Sequence, residues 1–286
     1  MIKYERKEIG FNINFDIELV GKIGSMALID KNSSMLDYSL IARLSKELRP
    51  GYIWVTSGAV ETGRLDYINR NGCELTGSTE DVKTDYSAQG QSILMSTYRQ
   101  FVDPKYSLRQ VLVEHQHFND DEKREHLKSM LLRASAQNAI PIVNYNDAVS
   151  TEESRRFEIQ SLKNKKAKVV ECVDNDETAS QIACLVKAKN LLIFTSTDGI
   201  YKNPKDPTTL IKEISGSTTQ EVLDNITECE NYCDGASRVG ANGAKAKLEY
   251  VKDAVKNGTS VYIASAKFSI ADILSGKAKC TRIGVR

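Results

Sequence analysis

The sequence predicts an α/β fold, a three-layer αβα sandwich around a mostly parallel central sheet. Short apolar runs rich in β-branched residues alternate with amphipathic stretches along the 286 residues. The stretches between the runs are long enough for helices, which parallel neighbours need as crossovers. The composition, 41% hydrophobic and 27% charged, is that of an ordinary globular chain and excludes global disorder or a fibrous repeat. No long-period repeat, low-complexity tract or Pro/Gly/Ser linker divides the chain. Residues 1–286 therefore read as one domain, with a modest seam near residue 190 between two lobes of one sheet.

The first strand is expected at Ile17 to Ile23. A helix from about Leu36 to Leu48 follows, because Leu36, Ile41, Leu44 and Leu48 share one face. Tyr52 to Thr56 is the next strand, and Ser57 and Gly58 open a helix toward Asn69, with Ser57 placed to cap its free N–H groups. Ser87 to Phe101 reads as a helix and Arg109 to Val113 as a strand. Asn119 to Gln137 reads as a long charged helix capped by Asn119 or Asp120, and Ile140 to Val143 as a short buried strand. Residues 150–168 are charged and weakly periodic, which suggests an exposed hairpin or flap. Val169 to Val173 resumes the sheet. A helix from about Asn175 to Ala188, the strand Leu191 to Thr195, a helix from about Gly243 to Lys256 and the strand Ser260 to Ala264 complete the series.

With 39 Lys plus Arg against 38 Asp plus Glu, the net charge of +1 gives no global field to draw in nucleic acid or an anionic membrane, so neither is expected as a partner. The N-terminal segment lacks an apolar stretch ahead of a small-residue cleavage site. No stretch approaches the roughly 20 apolar residues of a membrane span, and a cytoplasmic location is expected. Cysteines at 73, 172, 184, 229, 233 and 280 lack CxxC spacing and read as reduced thiols. His115, His117 and His126 lie together without a matching Cys or carboxylate motif, so no metal site is expected there.

In parallel sheets, ligands sit beyond the carboxyl ends of the strands, and four turns there have unusual content. Lys22 ends the first strand beside Gly24 and Ser25. It is either a solvated edge charge or a phosphate contact supported by backbone N–H groups. Thr56-Ser57-Gly58-Ala59 runs straight into a helix, whose N-terminus suits an anion, although a plain helix cap also explains Ser57. Asn144-Tyr145-Asn146-Asp147 and Asp174-Asn175-Asp176-Glu177 each follow an apolar strand. Turn chemistry alone accounts for them, and so does a shared site. The fourth turn, Gly240-Ala241-Asn242-Gly243, opens an amphipathic helix and resembles a phosphate loop without being a Walker A motif. Lys245 or Lys247 in the first turn of that helix opposes its dipole, which makes sense if a bound anion compensates.

Together these turns resemble the amino acid kinase family, most closely its glutamate 5-kinase branch. VGKIGSMAL, VTSGAVETGR, AQGQSILMSTY, IPIVNYNDAV, DNDETASQIACLV, TSTDGIY and GANGAKAKL follow in the family's order across nearly the whole chain from about Glu18. The resemblance implies a carbamate kinase-like fold. It also implies ATP-dependent phosphorylation of a γ-carboxylate, as in proline biosynthesis, with ATP and Mg²⁺ as cofactors and a homo-oligomer, dimer or tetramer, as the assembly. By the same resemblance Lys22 and Lys247 stabilise the transferring phosphoryl group, and Asp176 holds both ammonium groups. Ser57, Gly58, Asn144, Asp147 and Asn175 contact the acceptor, within an acceptor-binding lobe of about residues 1–189. Gly24, Ser25, Thr195, Ser196, Asp198, Gly199, Tyr201, Gly240, Ala241, Asn242 and Gly243 contact the nucleotide, most of them in a nucleotide-binding lobe of about residues 190–286.

The chain departs from the family pattern in several places. Ser196 stands where an Asp is usual, Asn242 replaces one of two paired glycines, and Tyr145 replaces a Glu. The stretch between Asp147 and Asp174 is longer than usual, and the RNA-modification-type (PUA) accessory domain that often follows is absent from this sequence. Two alternatives stay open: another kinase of the superfamily, such as one acting on a nucleoside monophosphate, and a catalytically silent nucleotide- or amino-acid-binding homologue.

Overall fold

The computed structural model describes residues 17–286 except 31, 32, 34, 167, 173, 204 and 234–242. In chain order, β1 (Leu19–Ile23) leads through a small hairpin, β2 (Ile29–Asp30) and β3 (Met35–Leu36), into α1 (Tyr38–Ser45). Leu36 belongs to that hairpin and not to the helix, because Asp37 caps α1 by accepting the Leu40 N–H. Next come β4 (Tyr52–Thr56), α2 (Ala59–Asn71), α3 (Thr79–Phe101) and β5 (Ser107–Val113). The expected charged helix is α5 (Asp121–Ala136), preceded by a single turn, α4 (Gln116–Asn119), that was not expected. Asp120 takes extended backbone between them and caps α5 through the Lys123 N–H.

After β6 (Ala139–Tyr145), residues 150–168 contain a helix, α6 (Glu152–Lys163), where a hairpin or flap was expected. Thr151 caps it and Ile159 anchors its inner face. The strand expected at 169–173 is absent among the described residues, and Val173 lies outside them. The amide of Asn119 donates to the Val170 carbonyl and accepts from the Val170 N–H. A side chain thus satisfies the backbone groups that a sheet neighbour would have paired.

The chain continues through α7 (Asn175–Val186), β7 (Asn190–Thr195), the hairpin β8 (Ile200–Tyr201) and β9 (Leu210–Ile211), β10 (Glu213–Gly216) and α8 (Thr219–Glu230). It ends with α9 (Ala244–Lys256), β11 (Ser260–Ser265), α10 (Ile270–Leu274) and β12 (Cys280–Val285). The elements from β8 to α8, and those after β11, were not expected; most are short, although α8 buries Val222 and Ile226 four residues apart on one face.

Eight strands form one sheet in the order β10-β12-β11-β7-β1-β4-β6-β5, with β12 antiparallel to β11 and every other pairing parallel. Alternate residues of each strand face opposite sides. Val20, Ile53, Leu191 and Ile193 pack with Leu131, Ile182 and Leu248 of α5, α7 and α9. Leu19, Trp54, Leu192 and Phe194 pack with Leu44, Leu94 and Ile270 of α1, α3 and α10. The result is the αβα sandwich, with both faces of the sheet buried.

Helices α2 and α3 cross at bare backbone. A β-carbon at Gly90 would overlap the Ala59 carbonyl oxygen, and one at Gly63 would overlap that of Tyr86. Gly90→Ala is therefore expected to force the helices apart and destabilise the fold by about 1–3 kcal/mol or more. In thermal unfolding that is a Tm loss of roughly 5 °C or more for a chain of this size. An unchanged Tm would show that the crossing relaxes freely.

Candidate active site

Strands β4, β6 and β5 lie on one side of β1, and β7, β11, β12 and β10 on the other. The chain therefore reverses its direction of growth across the sheet at β1, and in open parallel sheets such a switch point leaves a crevice beyond the strand ends. Lys22 points from the penultimate position of β1, between Val55 and Ile193 of the neighbouring strands. Its Nζ lies 2.6 Å from Oδ1 of Asp176, and Nζ of Lys247 lies 2.9 Å from Oδ2 of the same carboxylate.

Asp176 reaches this position from the first turn of α7, where Asp174 caps the helix by accepting the N–H groups of Asp176 and Glu177. A carboxylate there also suits the helix dipole. Asp176 is only 2% exposed and Lys22 7%. Burial pushes the Asp176 carboxyl upward, but the two ammonium groups outweigh it and hold the group below the usual carboxylate range. Lys247 comes from the first turn of α9, whereas Lys245 is exposed. Of the two lysines that oppose the α9 dipole, the inward one is thus Lys247.

Gly24 and Ser25 continue from β1, with Gly24 extended ahead of a short 3-10 turn. A β-carbon at Gly24 would lie 3.5 Å from the Lys22 ammonium, so the backbone here runs close beside the charge. At the end of β4, Gly58 occupies the N-cap of α2 with φ 97°, a left-handed conformation that glycine adopts without strain. Ser57 is therefore not the cap: its N–H bonds to Ile23 and its hydroxyl faces Asn175.

A chain of amides with one fixed polarity connects the residues expected on the acceptor side. The Tyr145 N–H, which can only donate, bonds to Asn144 Oδ1 at 2.9 Å, so the Asn144 Nδ2 group must donate, and it does so to Gln91 Oε1 at 2.9 Å. Asn175 Nδ2 then donates to Asn144 Oδ1 at 3.1 Å and to Ser57 Oγ at 3.0 Å. Ser57 accepts in this chain, which leaves its hydroxyl proton to point elsewhere. Gln91 Nε2 and Asn175 Oδ1 are buried without a hydrogen-bond partner among the described residues. Buried orphans of this kind are costly and mark places where a polar ligand would be welcome.

Sequence reasoning assigned Gln91 no role. Its signal was its spacing, three residues before Leu94 and four after Ser87, on the inward face of α3. Asn146 turns away from this chain and bonds to Glu114. Asp147 is partly buried in the turn after β6. Burial raises its carboxyl above the usual range, while Lys83 and Arg155 oppose the rise.

The expected nucleotide residues divide into several groups. Thr195 lies two residues beyond Ile193, the register partner of Lys22, and Ser196 beside it is exposed. Asp198 pairs with Lys267 at 2.6 Å. Gly199 packs against Thr281, whose hydroxyl accepts the Ile200 N–H, so packing alone accounts for that glycine. Tyr201 belongs to the β8–β9 hairpin. Gly243 caps α9 without a side-chain bond. Gly240, Ala241 and Asn242 lie outside the described residues.

A sequence profile of the amino acid kinase family matches residues 18–265. The chain belongs to the amino acid kinase family. Among sequence relatives within it, a glutamate 5-kinase of Geobacillus thermodenitrificans is 31% identical over 93% of this chain and 67% of its own length. One of Bacillus cereus is 30% identical over 93% of this chain and 68% of its own length. Among solved structures, the carbamate kinase of Giardia lamblia bound to AMP-PNP superposes with a TM-score of 0.56 at 16% identity, covering 93% of this chain and 98% of that one. The UMP kinase of Bacillus anthracis gives 0.51 at 10% identity, covering 94% of each chain. These two likenesses establish the amino acid kinase fold, and the expected architecture agrees with it. No helix among the described residues is long and apolar enough to cross a membrane.

Proposed function

We propose that the chain transfers the γ-phosphoryl group of ATP to the γ-carboxylate of L-glutamate, giving glutamyl 5-phosphate and ADP, as in proline biosynthesis. The observation that carries this reading is the buried Lys22–Asp176–Lys247 bridge at the switch point. The identity to glutamate 5-kinases supports the choice of acceptor.

A γ-carboxylate is already ionised at neutral pH, so its oxygen attacks the γ-phosphorus without a general base. The new O–P bond forms as the bridging P–O bond to ADP breaks. Catalysis then consists of in-line positioning and cancellation of the charge of two approaching anions. Lys22 and Lys247 supply that cancellation, and Asp176 keeps the ammonium groups on either side of one point. The Ser57 hydroxyl, its polarity set through Asn175 and Asn144, donates to the acceptor carboxylate, and ionised Asp147 receives the α-ammonium. Thr195, Ser196 and the segment near Asp198 border the nucleotide. Asp176 and Asp198 are both held by lysines, a donor set that would leave Mg²⁺ to the nucleotide's own phosphates, whose charge it would neutralise.

The test is a hydroxylamine trap for acyl phosphates, with Mg-ATP and glutamate, aspartate or N-acetylglutamate as acceptor, beside an ADP-release assay with a nucleoside monophosphate, whose phosphorylation gives no hydroxamate. Hydroxamate with glutamate is the expected result, and its absence with every carboxylate would overturn the proposal. The nucleotide arm matters because α6 brings Arg155 over the Tyr145 ring, 5.6 Å from its centre, and an arginine there suits a phosphate-bearing acceptor.

The raised carboxyl of Asp147 predicts a pH effect. Because only the ionised form holds an ammonium, the acceptor KM should climb as pH falls, beginning above the ordinary aspartate value of about 3.9. The KM for ATP should not follow it. In Asp147→Asn the acid limb should vanish and the neutral-pH KM should rise about 10- to 100-fold. An acceptor KM in that variant equal to wild type would remove Asp147 from the site.

A further inference from the structure

Asp147 shares a cleft of about 710 Å³ with Lys83, Thr84, Ser150, Arg156 and Phe157, between the first turns of α3 and the helix α6. The Lys83 ammonium lies 3.8 Å from Asp147 Oδ1, close enough to feel its charge and too far for a hydrogen bond. Lys83 is about half exposed and Asp147 mostly covered, so the lysine can move while the carboxylate stays in place. Of the other charges lining the cleft, Glu80, Glu152 and Arg156 are engaged more closely, and Glu153 is exposed. Glu80 accepts the Glu152 N–H, and Glu152 pairs with Arg156. Arg155, which also influences Asp147, donates to the Cys172 carbonyl and lies over Tyr145.

An α-amino acid carries an ammonium and a carboxylate on one carbon. Its complement is a carboxylate and an ammonium side by side, and Asp147 with Lys83 is such a pair. We propose that Lys83 is a specificity-determining residue that binds the second, non-reacting carboxylate of the acceptor, so that Asp147 and Lys83 together recognise a free zwitterionic head group. This inference rests on the glutamate-phosphorylating reading and adds to it the group that the lysine recognises. Without an acceptor, the loose pair limits the cost of leaving Asp147 in a half-dry cleft. With one bound, each member exchanges its distant partner for a direct contact.

The experiment measures kcat/KM in the hydroxylamine trap for wild type, Lys83→Met, Lys83→Arg and Arg155→Met with three acceptors. These are L-glutamate, 4-aminobutyrate, which is glutamate without the second carboxylate, and glutarate, which lacks the ammonium. Wild type should prefer glutamate to 4-aminobutyrate by about 10- to 100-fold, the worth of a charge-assisted contact, mainly through KM. In Lys83→Met that ratio should fall to near one, while glutarate stays a poor acceptor. Lys83→Arg should restore much of the preference, and Arg155→Met should retain it.

If Lys83→Met keeps the full preference, or if Arg155→Met abolishes it instead, the proposal is wrong. A wild-type enzyme that forms no hydroxamate with any of the three overturns the parent reading, and this one with it. That result is distinct from an active enzyme whose preference ignores Lys83.

Discussion

Asp176→Asn is expected to lower turnover by about a thousandfold or more and to destabilise the fold at the same time. Removing the carboxylate leaves the Lys22 and Lys247 ammonium groups facing each other, with nothing between them but a neutral amide. Breaking a buried pair in this way costs about 3–5 kcal/mol. The lower part of that range applies here, because the Lys247 side chain is 19% exposed and can turn toward solvent, whereas Lys22 cannot. A Tm loss of roughly 5–10 °C follows.

Nucleotide should restore part of that loss. Triphosphate oxygens replace the missing anion, so the ATP-induced rise in Tm should be larger in Asp176→Asn than in wild type. The acid limb of stability gives a separate check. The folded carboxyl of Asp176 lies below its unfolded value, so its contribution is present above about pH 3.9 and is lost as pH falls through the folded value. In the variant, that part of the limb should flatten. Normal turnover in a folded Asp176→Asn enzyme would sink the bridging role.

Lys247→Ala separates catalysis from folding. Asp176 keeps Lys22 as a partner, and the removed side chain is partly exposed, so the Tm should change little. Turnover should still fall by about a thousandfold, because the proposed role sets the ammonium against charge that develops on the transferring group and not on the bound substrates. The KM values for both substrates should move far less than kcat. Near-normal turnover would remove Lys247 from the site. A Tm collapse equal to that of Asp176→Asn would make its role structural.

Much of the site could be read from the sequence because it sits at strand ends. Lys22, Ser57, Asn144 and Thr195 each close or follow a run of apolar residues whose direction in the sheet is set by burial on both faces. A parallel sheet brings all such ends to one edge, so polar residues there share a region before any coordinate is known. The pairing of Asp176 with both lysines was expected from resemblance and is seen as two ion pairs on one carboxylate.

Other features depended on context that no local pattern carries. Among its described residues the segment 150–168 has a single buried apolar residue, Ile159, so its periodicity was too weak to announce α6. The stretch at 169–172 begins with two valines, yet Asn119, some fifty residues earlier, satisfies both backbone groups of Val170, and Glu177 accepts the Glu171 N–H. Ser57 has the chemistry of a helix cap, but Gly58 takes that position and frees the hydroxyl for Asn175. The first turns of α3, which carry Lys83, are held by Ser78 as a cap and lie ahead of the helix expected from Ser87.

Hydrophobic periodicity and the order of short motifs were enough to establish the layered fold and to place the polar residues at its strand ends, where the proposed site lies, since each depends on neighbours in the chain. Folding alone decided which of two lysines in α9 turns inward, which way the amide chain from Gln91 to Ser57 is polarised, and that Lys83 stands beside Asp147. Those outcomes depend on distances between segments far apart in sequence. Burial of Asp176 and the bond from the Tyr145 N–H to Asn144 impose the first two, the packing of α3 beside the turn after β6 imposes the third, and none exists until the sheet has closed.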